Sequence, residues 1–240
     1  MGGTERPLDM KLPTYLILAS TLAAVGCTVP NDSSIRFLNA HEFTTGPQTA
    51  GCTPQTINIY RGSLDLAGST RYIAAFDWES VLAQINTVVS PDTLAGPQRN
   101  EWVLDHLVFN YSSTPSLAFQ AEQISGYAVQ PPGASGTSNW IGLSLLAPQA
   151  RQTLLDHVQV GASYEVLVTF QAFGALASGQ KIATNKVTYP IVVYRSGFTG
   201  CVPPDIQAPT GPCGDPGGQD GTEVGCCRAI NPVPQGCPAR

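Results

Sequence analysis

The sequence contains few charged residues. Only 12% of its 240 residues are Asp, Glu, Lys or Arg, about half the usual share of roughly 25%. Lysine occurs only at Lys11, Lys181 and Lys186, and the formal net charge is −5. Because no basic patch is available to neutralise phosphate groups, the composition argues against binding to nucleic acid.

Short motifs of common catalytic and metal sites are also missing. The chain has no G-x-S-x-G, H-E-x-x-H, P-loop or G-x-G-x-x-G pattern. It has no C-x2-C pair, and no histidine lies in its cysteine-rich C-terminal part, which disfavours zinc. The sequence therefore predicts no catalytic residue, no metal ligand and no cofactor.

The histidines and acids give only weak alternatives to this conclusion. Two of the three histidines, His41, His106 and His157, follow an aspartate. Neighbours on a strand point to opposite faces, so neither Asp105–His106 nor Asp156–His157 is expected to pair locally. Paired carboxylates would require acids such as Asp77, Glu79 and Asp105 to converge in space, whereas isolated carboxylates on a small domain usually face solvent.

The three tryptophans, Trp78, Trp102 and Trp140, allow two interpretations. They could line a groove for a carbohydrate or a peptide. Aromatic side chains of this size more often fill the core, and we favour that interpretation.

Glycine and proline are abundant, with 24 and 20 residues. A turn-rich chain that is poor in Glu and Lys favours an all-β body. Period-two alternation is clearest in Ser163–Phe170 and Lys186–Tyr194, and Pro190 in the second run indicates an edge or a bulge. Further predicted strands are Thr56–Arg61, Arg71–Phe76, Trp102–Tyr111, Ser116–Val129 and Trp140–Leu146.

Two segments depart from the strand pattern. Val81, Leu82, Ile85, Val88 and Val89 have helical spacing, with Asp77 as the N-cap. Pro148 is predicted to open a short helix that carries Ala150, Leu154, Leu155 and Val158.

The N-terminal part has the layout of a secretory signal. From Met10, which we take as the initiator, Lys11 is followed by an apolar run from Tyr15 to Gly26 and then by Cys27. This run is too short for a spanning helix, which needs about 20 residues. An ordinary secretory signal that happens to end near a cysteine is the alternative.

The residues Leu22-Ala23-Ala24-Val25-Gly26-Cys27 resemble the bacterial lipobox, although Ala24 stands where many family members carry Leu. The resemblance covers Met10 to Cys27. It implies cleavage before Cys27 and a membrane anchor made of acyl chains, such as palmitate, on that cysteine. Two or more chains give a stable anchor. Thr28 follows the cysteine, rather than the Asp that marks inner-membrane retention in some bacteria, so the resemblance favours the outer membrane.

The cysteine count agrees with lipidation. Of seven cysteines, six remain if Cys27 carries lipid, and an even number in an exported chain predicts disulfides. Fifteen pairings are open for six cysteines. The six are Cys52, Cys201, Cys213, Cys226, Cys227 and Cys237.

The segment Val160–Val168, with Tyr164, resembles the tyrosine corner of immunoglobulin-like and fibronectin-type sandwiches. The run Asn185–Tyr194 would then be the closing strand. The alternative is a generic antiparallel hairpin. If the sandwich is right, its first and last strands lie close together, which implies a Cys52–Cys201 disulfide.

Together these features predict four parts: a signal peptide (1–26), a lipidated cysteine with a tether (27–35), an antiparallel, immunoglobulin-like β-sandwich (36–198) and a tail (199–240). Half of residues 201–240 are Pro, Gly or Cys, so the tail is expected to be disordered or held by disulfides alone. The predicted function is non-enzymatic: a lipid-anchored envelope module for binding, adhesion or structure, whose partner is an unknown envelope protein or glycan. The alternative is an envelope hydrolase acting on glycan or peptide.

Overall fold

The structure is a computed structural model that describes residues 33–43, 54–84, 100–135, 139–200, 206–207, 218–220 and 226–227. Strands dominate it and one helix interrupts them. In chain order the elements are β1 (Ile35–Phe43), β2 (Pro54–Asn58), β3 (Gly62–Asp65), β4 (Ile73–Ser80), β5 (Trp102–Thr114), β6 (Glu122–Ser125), β7 (Val129–Gln130), β8 (Trp140–Ser144), α1 (Pro148–His157), β9 (Ser163–Leu176), β10 (Lys181–Ala183), β11 (Val187–Tyr194), β12 (Ile206–Gln207) and β13 (Cys226–Cys227).

The strands form two larger sheets and one small ladder. The four-stranded sheet has the order β2-β1-β4-β8 and is antiparallel throughout. The seven-stranded sheet has the order β3-β11-β9-β5-β6, with β10 paired to β9 and β7 paired to β5. Its β3 runs parallel to β11, and its other pairs are antiparallel. The tail strands β12 and β13 pair with each other.

The two larger sheets pack face to face around an aromatic core. Phe37 and Phe76 of the four-stranded sheet contact Phe170 of the other sheet, with ring centroids 5.3 and 5.0 Å apart. This core arises from the alternation of side chains along the strands. Every second residue of β9 from Val166 and of β11 from Tyr189 points inward and is fully or almost fully buried. These residues include Val166, Val168, Phe170, Tyr189, Ile191 and Val193. The prediction of a mainly β, sandwich-like body is therefore confirmed.

The strand β1 was not predicted, because a bulge interrupts its alternation. Its register against β4 shifts between Phe37 and Ala40. At the bulge, the side-chain amide of Asn185 makes two hydrogen bonds to the backbone of Phe37. Its Oδ1 accepts from the Phe37 N–H at 2.7 Å, and its Nδ2 donates to the Phe37 carbonyl at 3.0 Å. These bonds satisfy backbone groups that the irregular ladder leaves free.

Pro190 lies where its missing N–H does least harm. It belongs to β11 and is opposite Leu167 of β9, but the parallel ladder with β3 begins only at Ile191. Beside Pro190, β11 therefore has a neighbour on one side only among the described strands. This local edge agrees with the sequence prediction.

The predicted helix at Pro148 is confirmed, with Ala150 and Leu154 buried beneath it. Its N-cap residue, Ala147, provides no side-chain cap. The carboxylate of Glu122, from β6, takes this role: its oxygens accept the N–H groups of Gln149 at 2.9 Å and Ala150 at 2.8 Å. A negative charge here also complements the helix dipole.

The predicted helix from Val81 is wrong over the residues that can be compared. Strand β4 runs to Ser80 and has Asp77 in its interior, so Asp77 is not an N-cap. Residues 81–84 have no regular structure, and residues 85–89 lie outside the described residues. Asp77 and the residues up to Ser80 stay in β4 because that strand pairs with β1 on one side and β8 on the other, and this pairing outweighs the weak helical spacing of the sequence.

The predicted tyrosine-corner hydrogen bond of Tyr164 is not formed among the described residues, and a different tyrosine bonds the backbone across the sheets. Tyr164 lies on β9, but its hydroxyl makes no hydrogen bond to a described residue. Instead, the Tyr111 hydroxyl from β5 donates to the Leu145 carbonyl at 3.2 Å and accepts the Ala147 N–H at 2.9 Å. Burial raises the pKa of Tyr111 well above its usual value. This tyrosine links the two sheets where α1 begins.

Part of the tail is held by hydrogen bonds to the body, contrary to the prediction that only disulfides could hold it. The Gly218 carbonyl accepts the Asp65 N–H at 2.7 Å. The Gln219 side chain donates to the Ile73 carbonyl at 2.7 Å and accepts the Ile73 N–H at 2.9 Å. Asp220 bonds Ser63 through both backbone and side chain. Residues 218–220 thus pair along β3 and bond the first residue of β4.

Candidate functional site

A β-bulge in β5 creates the most distinctive site among the described residues. The register of β5 against β9 shifts between Leu104 and His106. Leu104 and Leu107 both point into the core, so the two residues between them, Asp105 and His106, lie together on the outer face of the sheet.

This placement corrects the prediction that Asp105 and His106 could not pair. The alternation rule fails at a bulge, and the Asp105 Oδ2 lies 2.8 Å from the His106 Nδ1. Because a carboxylate only accepts, Nδ1 carries the proton, and Nε2 has no hydrogen-bond partner among the described residues. The sequence held a signal for the bulge: the apolar residues Trp102, Leu104, Leu107 and Phe109 change from a spacing of two to a spacing of three.

The floor beside this pair is apolar and aromatic. His106 lies opposite Phe173 of β9, and the two rings stack with centroids 5.0 Å apart and planes 12° apart. Val103 and Ala175 form the next outward-facing row of the same two strands. Gly174 lies between Phe173 and Ala175 on β9. A side chain would not fit there, because a Cβ would lie 2.2 Å from the Val103 carbonyl oxygen and 2.6 Å from the buried Trp102 ring.

Two short elements complete the site. On one side, β10 brings Lys181 and Ile182; on the other, the turn between β6 and β7 brings Gly126 and Tyr127. Together these residues enclose a cleft of about 750 Å³, which we call the outer cleft. Its lining residues are Val103, Leu104, Asp105, His106, Gly126, Tyr127, Phe173, Gly174, Ala175, Lys181, Ile182 and Ala183. Tyr127 is 81% exposed at its rim.

The outer cleft has the composition of a binding site. A mostly apolar floor with a few polar groups at the rim is the usual arrangement of small-ligand sites, and its volume lies in their range of roughly 300–1,000 Å³. No Ser, Thr or Cys is among the described residues that line it. The described lining residues therefore provide stacking surface and hydrogen bonds, and the phenol of Tyr127 is the one side-chain hydroxyl among them.

A second polar cluster surrounds the docked tail residue Asp220. The Tyr72 hydroxyl donates to Asp220 Oδ2 at 2.9 Å, so the Tyr189 hydroxyl, 3.0 Å away, donates its own proton to Tyr72. Burial raises the pKa of Asp220, and hydrogen bonds from Ser63 and Tyr72 oppose that rise only in part. Burial and the nearby Asp220 charge raise the pKa of Glu42.

Gly62 makes this cluster possible, because a Cβ there would lie 2.3 Å from the Tyr72 ring. Burial raises the pKa of Tyr72 and of Tyr189 well above the usual value for tyrosine. Both phenols therefore stay protonated and act as hydrogen-bond donors. Since the cluster joins β3, β4 and β11 to the tail, its role is to hold the tail.

A buried histidine–aspartate pair lies on the outer face of the four-stranded sheet. His41 is 2% exposed and Asp77 is 4% exposed. The His41 Nε2 is 2.8 Å from Asp77 Oδ2, and its Nδ1 is 3.3 Å from the Ile57 carbonyl. Both partners only accept, so the ring satisfies both when both nitrogens carry protons. Asp77 Oδ1 is buried and has no hydrogen-bond partner within the described part of the chain.

The acids named in the sequence do not converge. Asp77 pairs with His41, Glu79 forms an ion pair with Arg36, and Asp105 lies on the other sheet. His157 is on α1, where its Nδ1 donates to the Thr153 carbonyl at 2.8 Å. The adjacent Asp156 accepts from Gln152 instead, so Asp156 and His157 do not pair, although they lie on helix α1 and not on the strand that the prediction assumed.

The tryptophans divide between core and surface. Trp78 and Trp102 are buried and contact each other edge to face, as the core interpretation predicts. Trp140 is half-buried and packs on Phe43, with ring centroids 5.4 Å apart. Register places Trp140 opposite Asp77, on the outer face of the four-stranded sheet. The three do not form one groove.

The predicted lipidation and disulfide residues lie almost entirely outside the described part of the chain. This applies to Cys27, to the proposed Cys52–Cys201 bridge, and to Cys213 and Cys237. Cys226 and Cys227 are described only as the backbone of β13. Their pairing remains a prediction.

Among the described residues, no three or more His, Cys, Asp or Glu side chains are grouped closely enough to hold a metal ion. The described part of the chain contains no helix with the length and apolar character needed to cross a membrane.

Comparison with known proteins adds no relative: no family model, curated protein or solved structure matches this chain. The features that bear on function are therefore the geometry of the outer cleft and the sequence of the N-terminal segment.

Proposed function

We propose that this chain is a lipid-anchored protein of the bacterial cell envelope that acts as a non-enzymatic binding module through the outer cleft. The observation that carries the binding role is the cleft itself. It is apolar, about 750 Å³ in volume, and bordered by Asp105, His106 and Lys181. An exposed apolar depression with a few polar groups on a protein surface is the usual form of a ligand site.

The strand order supports an immunoglobulin-like body. In such sandwiches strands A, B and E are neighbours in one sheet and G, F and C in the other, with C′ beside C. The orders β1-β4-β8 and β11-β9-β5-β6 correspond to this arrangement. The outer cleft would then lie on the exposed face of the G-F-C sheet.

A photo-crosslinking experiment tests the binding role in the native envelope. Benzoylphenylalanine replaces Tyr127 in the cleft or, as a matched control, Tyr60, which is 78% exposed and does not line the cleft. Irradiation of intact cells should give adducts at position 127 that exceed those at position 60. The additional substitution Ala175→Arg, which fills the cleft, should remove them. Equal adducts at both positions would contradict the proposal.

Lipid on Cys27, and an outer-membrane location, rest on the lipobox resemblance. Cys27→Ser removes the only thiol that could carry the diacylglyceryl group. We expect the variant to lose acyl mass and to leave the membrane fraction, and we expect the unchanged protein to fractionate with outer membranes. A Cys27→Ser protein that stays in washed membranes at its original mass would refute the anchor.

An envelope hydrolase is the second candidate, because Asp105 and His106 form a carboxylate–imidazole pair at the cleft. With Nε2 free, this pair could take a proton from water as a general base. His106→Gln should then abolish any hydrolysis of envelope glycan or peptide by the purified protein while leaving ligand binding measurable. Absence of hydrolysis by the unchanged protein removes this candidate.

A further inference from the structure

The rim of the outer cleft presents hydrogen-bonding groups of opposite character. The Lys181 ammonium only donates, and the Asp105 carboxylate only accepts. His106 offers Nε2, since its Nδ1 is bound to Asp105. Among the described residues, Lys181 has no acidic partner within ion-pair distance, so its donors are available.

Register separates these groups by a distance that suits a small oligomer. Lys181 lies opposite Ala175, and Ala175 lies opposite Val103 on the strand that carries Asp105. Two strand spacings place Lys181 roughly 10 Å from that strand. A ligand that satisfies both sides must therefore extend across the sheet and present polar groups at both ends.

Charge restricts the ligand further. A simple anion would be attracted by Lys181 but repelled by the exposed Asp105, and a simple cation the reverse, so for either ligand the repulsion and the cost of desolvating its charge offset the attraction. A neutral molecule with many hydroxyl groups avoids both penalties, because each hydroxyl can donate to the carboxylate or accept from the ammonium.

The aromatic surfaces select the other character of the ligand. Tyr127 stands exposed at the rim, and the His106–Phe173 stack and Ala175 give the floor flat apolar surfaces. Sugar rings have apolar C–H faces that pack on aromatic rings and hydroxyl groups around their edges. Tyr127 can stack on such a ring while the rim residues bond its hydroxyls.

We propose that the outer cleft binds a neutral linear oligosaccharide of two or three sugars, with Tyr127 as the stacking platform and with Asp105, His106 and Lys181 as the hydrogen-bonding groups. This inference depends on the proposed binding function and names its ligand class. Anionic glycans and apolar peptides are disfavoured, the first by Asp105 and the second by the polar groups they would leave unpaired.

Calorimetric titration of the full chain, purified in detergent, tests this proposal. The neutral probes are chitotriose, cellotriose and maltotriose; the charged probes are trigalacturonate and the glucosamine trimer. At least one neutral trisaccharide should bind, and both charged probes should bind at least tenfold more weakly. Asp105→Asn should weaken the neutral complex and reduce the discrimination against trigalacturonate.

Matched tyrosine variants locate the binding. Tyr127→Ala should reduce the affinity at least tenfold, whereas Tyr60→Ala should change it less than twofold. The inference is overturned if no neutral trisaccharide binds at millimolar concentration, if a charged probe binds best, or if Tyr127→Ala binds as tightly as the unchanged protein. Crosslinked adducts at position 127 without sugar binding would preserve the binding function and reject the glycan; loss of both results would reject both.

Discussion

Glu122 shows how one side chain stabilises a whole helix. Its two oxygens accept the N–H groups of Gln149 and Ala150, which otherwise have no partner at the start of α1. Glu122→Ala should lower the free energy of unfolding by about 2 kcal/mol, since charge-assisted hydrogen bonds to buried donors are lost. Urea unfolding measures this change.

Glu79→Ala is the matched control for Glu122→Ala. Glu79 is also a strand glutamate, but it pairs with the partly exposed Arg36. Its removal should cost less than about 1 kcal/mol, as for other ion pairs near the surface. Equal losses in the two variants would mean that Glu122 does not cap the helix.

Asp220 makes the stability of the folded chain depend on pH. Its raised pKa means that the folded state holds the proton more tightly than the unfolded state does. This contribution is complete below the ordinary pKa of 3.8 and is lost as pH rises through the folded-state pKa; Glu42 acts in the same direction. Asp220→Asn should therefore flatten the fall in unfolding free energy above pH 4, as followed by urea unfolding across pH. An unchanged slope would contradict this assignment.

For single residues, the sequence was least informative where strand register or a bulge decides which side chains meet. The rule that adjacent strand residues face apart is sound, yet it gave the wrong result for Asp105 and His106 because a bulge places both on one face. The core positions of Trp78 and Trp102 followed from their size and hydrophobicity. No periodicity in the chain could indicate that His41 would meet Asp77, since that contact depends on register.

Among the elements, long alternating strands were predictable and irregular ones were not. The predicted run Ser163–Phe170 lies within β9, and Trp102–Tyr111 lies within β5. β1 was missed because its bulge removes the period-two signal. The incorrect helix from Val81 was predicted because a short apolar run fits the helical period and the strand period equally well. The neighbouring residues up to Ser80 are in a strand because β4 pairs with strands on both sides.

The pairing of β5 and β9 beneath the outer cleft depends on Gly174. A Cβ at this position would lie within 2.6 Å of the Trp102 ring and closer still to the Val103 carbonyl. Gly174→Ala should therefore lower the free energy of unfolding by about 2 kcal/mol or more, as overpacking does. Gly197→Ala is the control, since a Cβ at Gly197 would lie 4.0 Å from Val160 Cγ1; it should change stability by less than about 0.5 kcal/mol. Thermal and urea unfolding of both variants decide the matter.

For the molecule as a whole, composition predicted the β-rich body but not the docking of the tail. Low charge and abundant turn residues favour stacked sheets, and the two sheets pack as that composition predicts. The docking of Gly218–Asp220 uses hydrogen bonds to particular backbone groups of β3 and β4 rather than apolar burial. Such contacts leave no hydrophobic pattern, so a segment rich in Gly and Pro seemed unable to attach without disulfides.

If residues 218–220 stabilise the body, the effect should be seen far from the tail in sequence. Gln219→Ala removes both side-chain hydrogen bonds to Ile73, so that the N–H and the carbonyl of Ile73 lose these partners. The free energy of unfolding should fall by about 1–3 kcal/mol. Hydrogen exchange at the Ile73 amide should accelerate, while the Ile191 amide in β11 changes less. Gln159→Ala, at an exposed glutamine after α1, should alter neither. Unchanged exchange at Ile73 in Gln219→Ala would show that the tail only rests on the sandwich, and truncation before Gly218 would then leave the unfolding free energy unchanged as well.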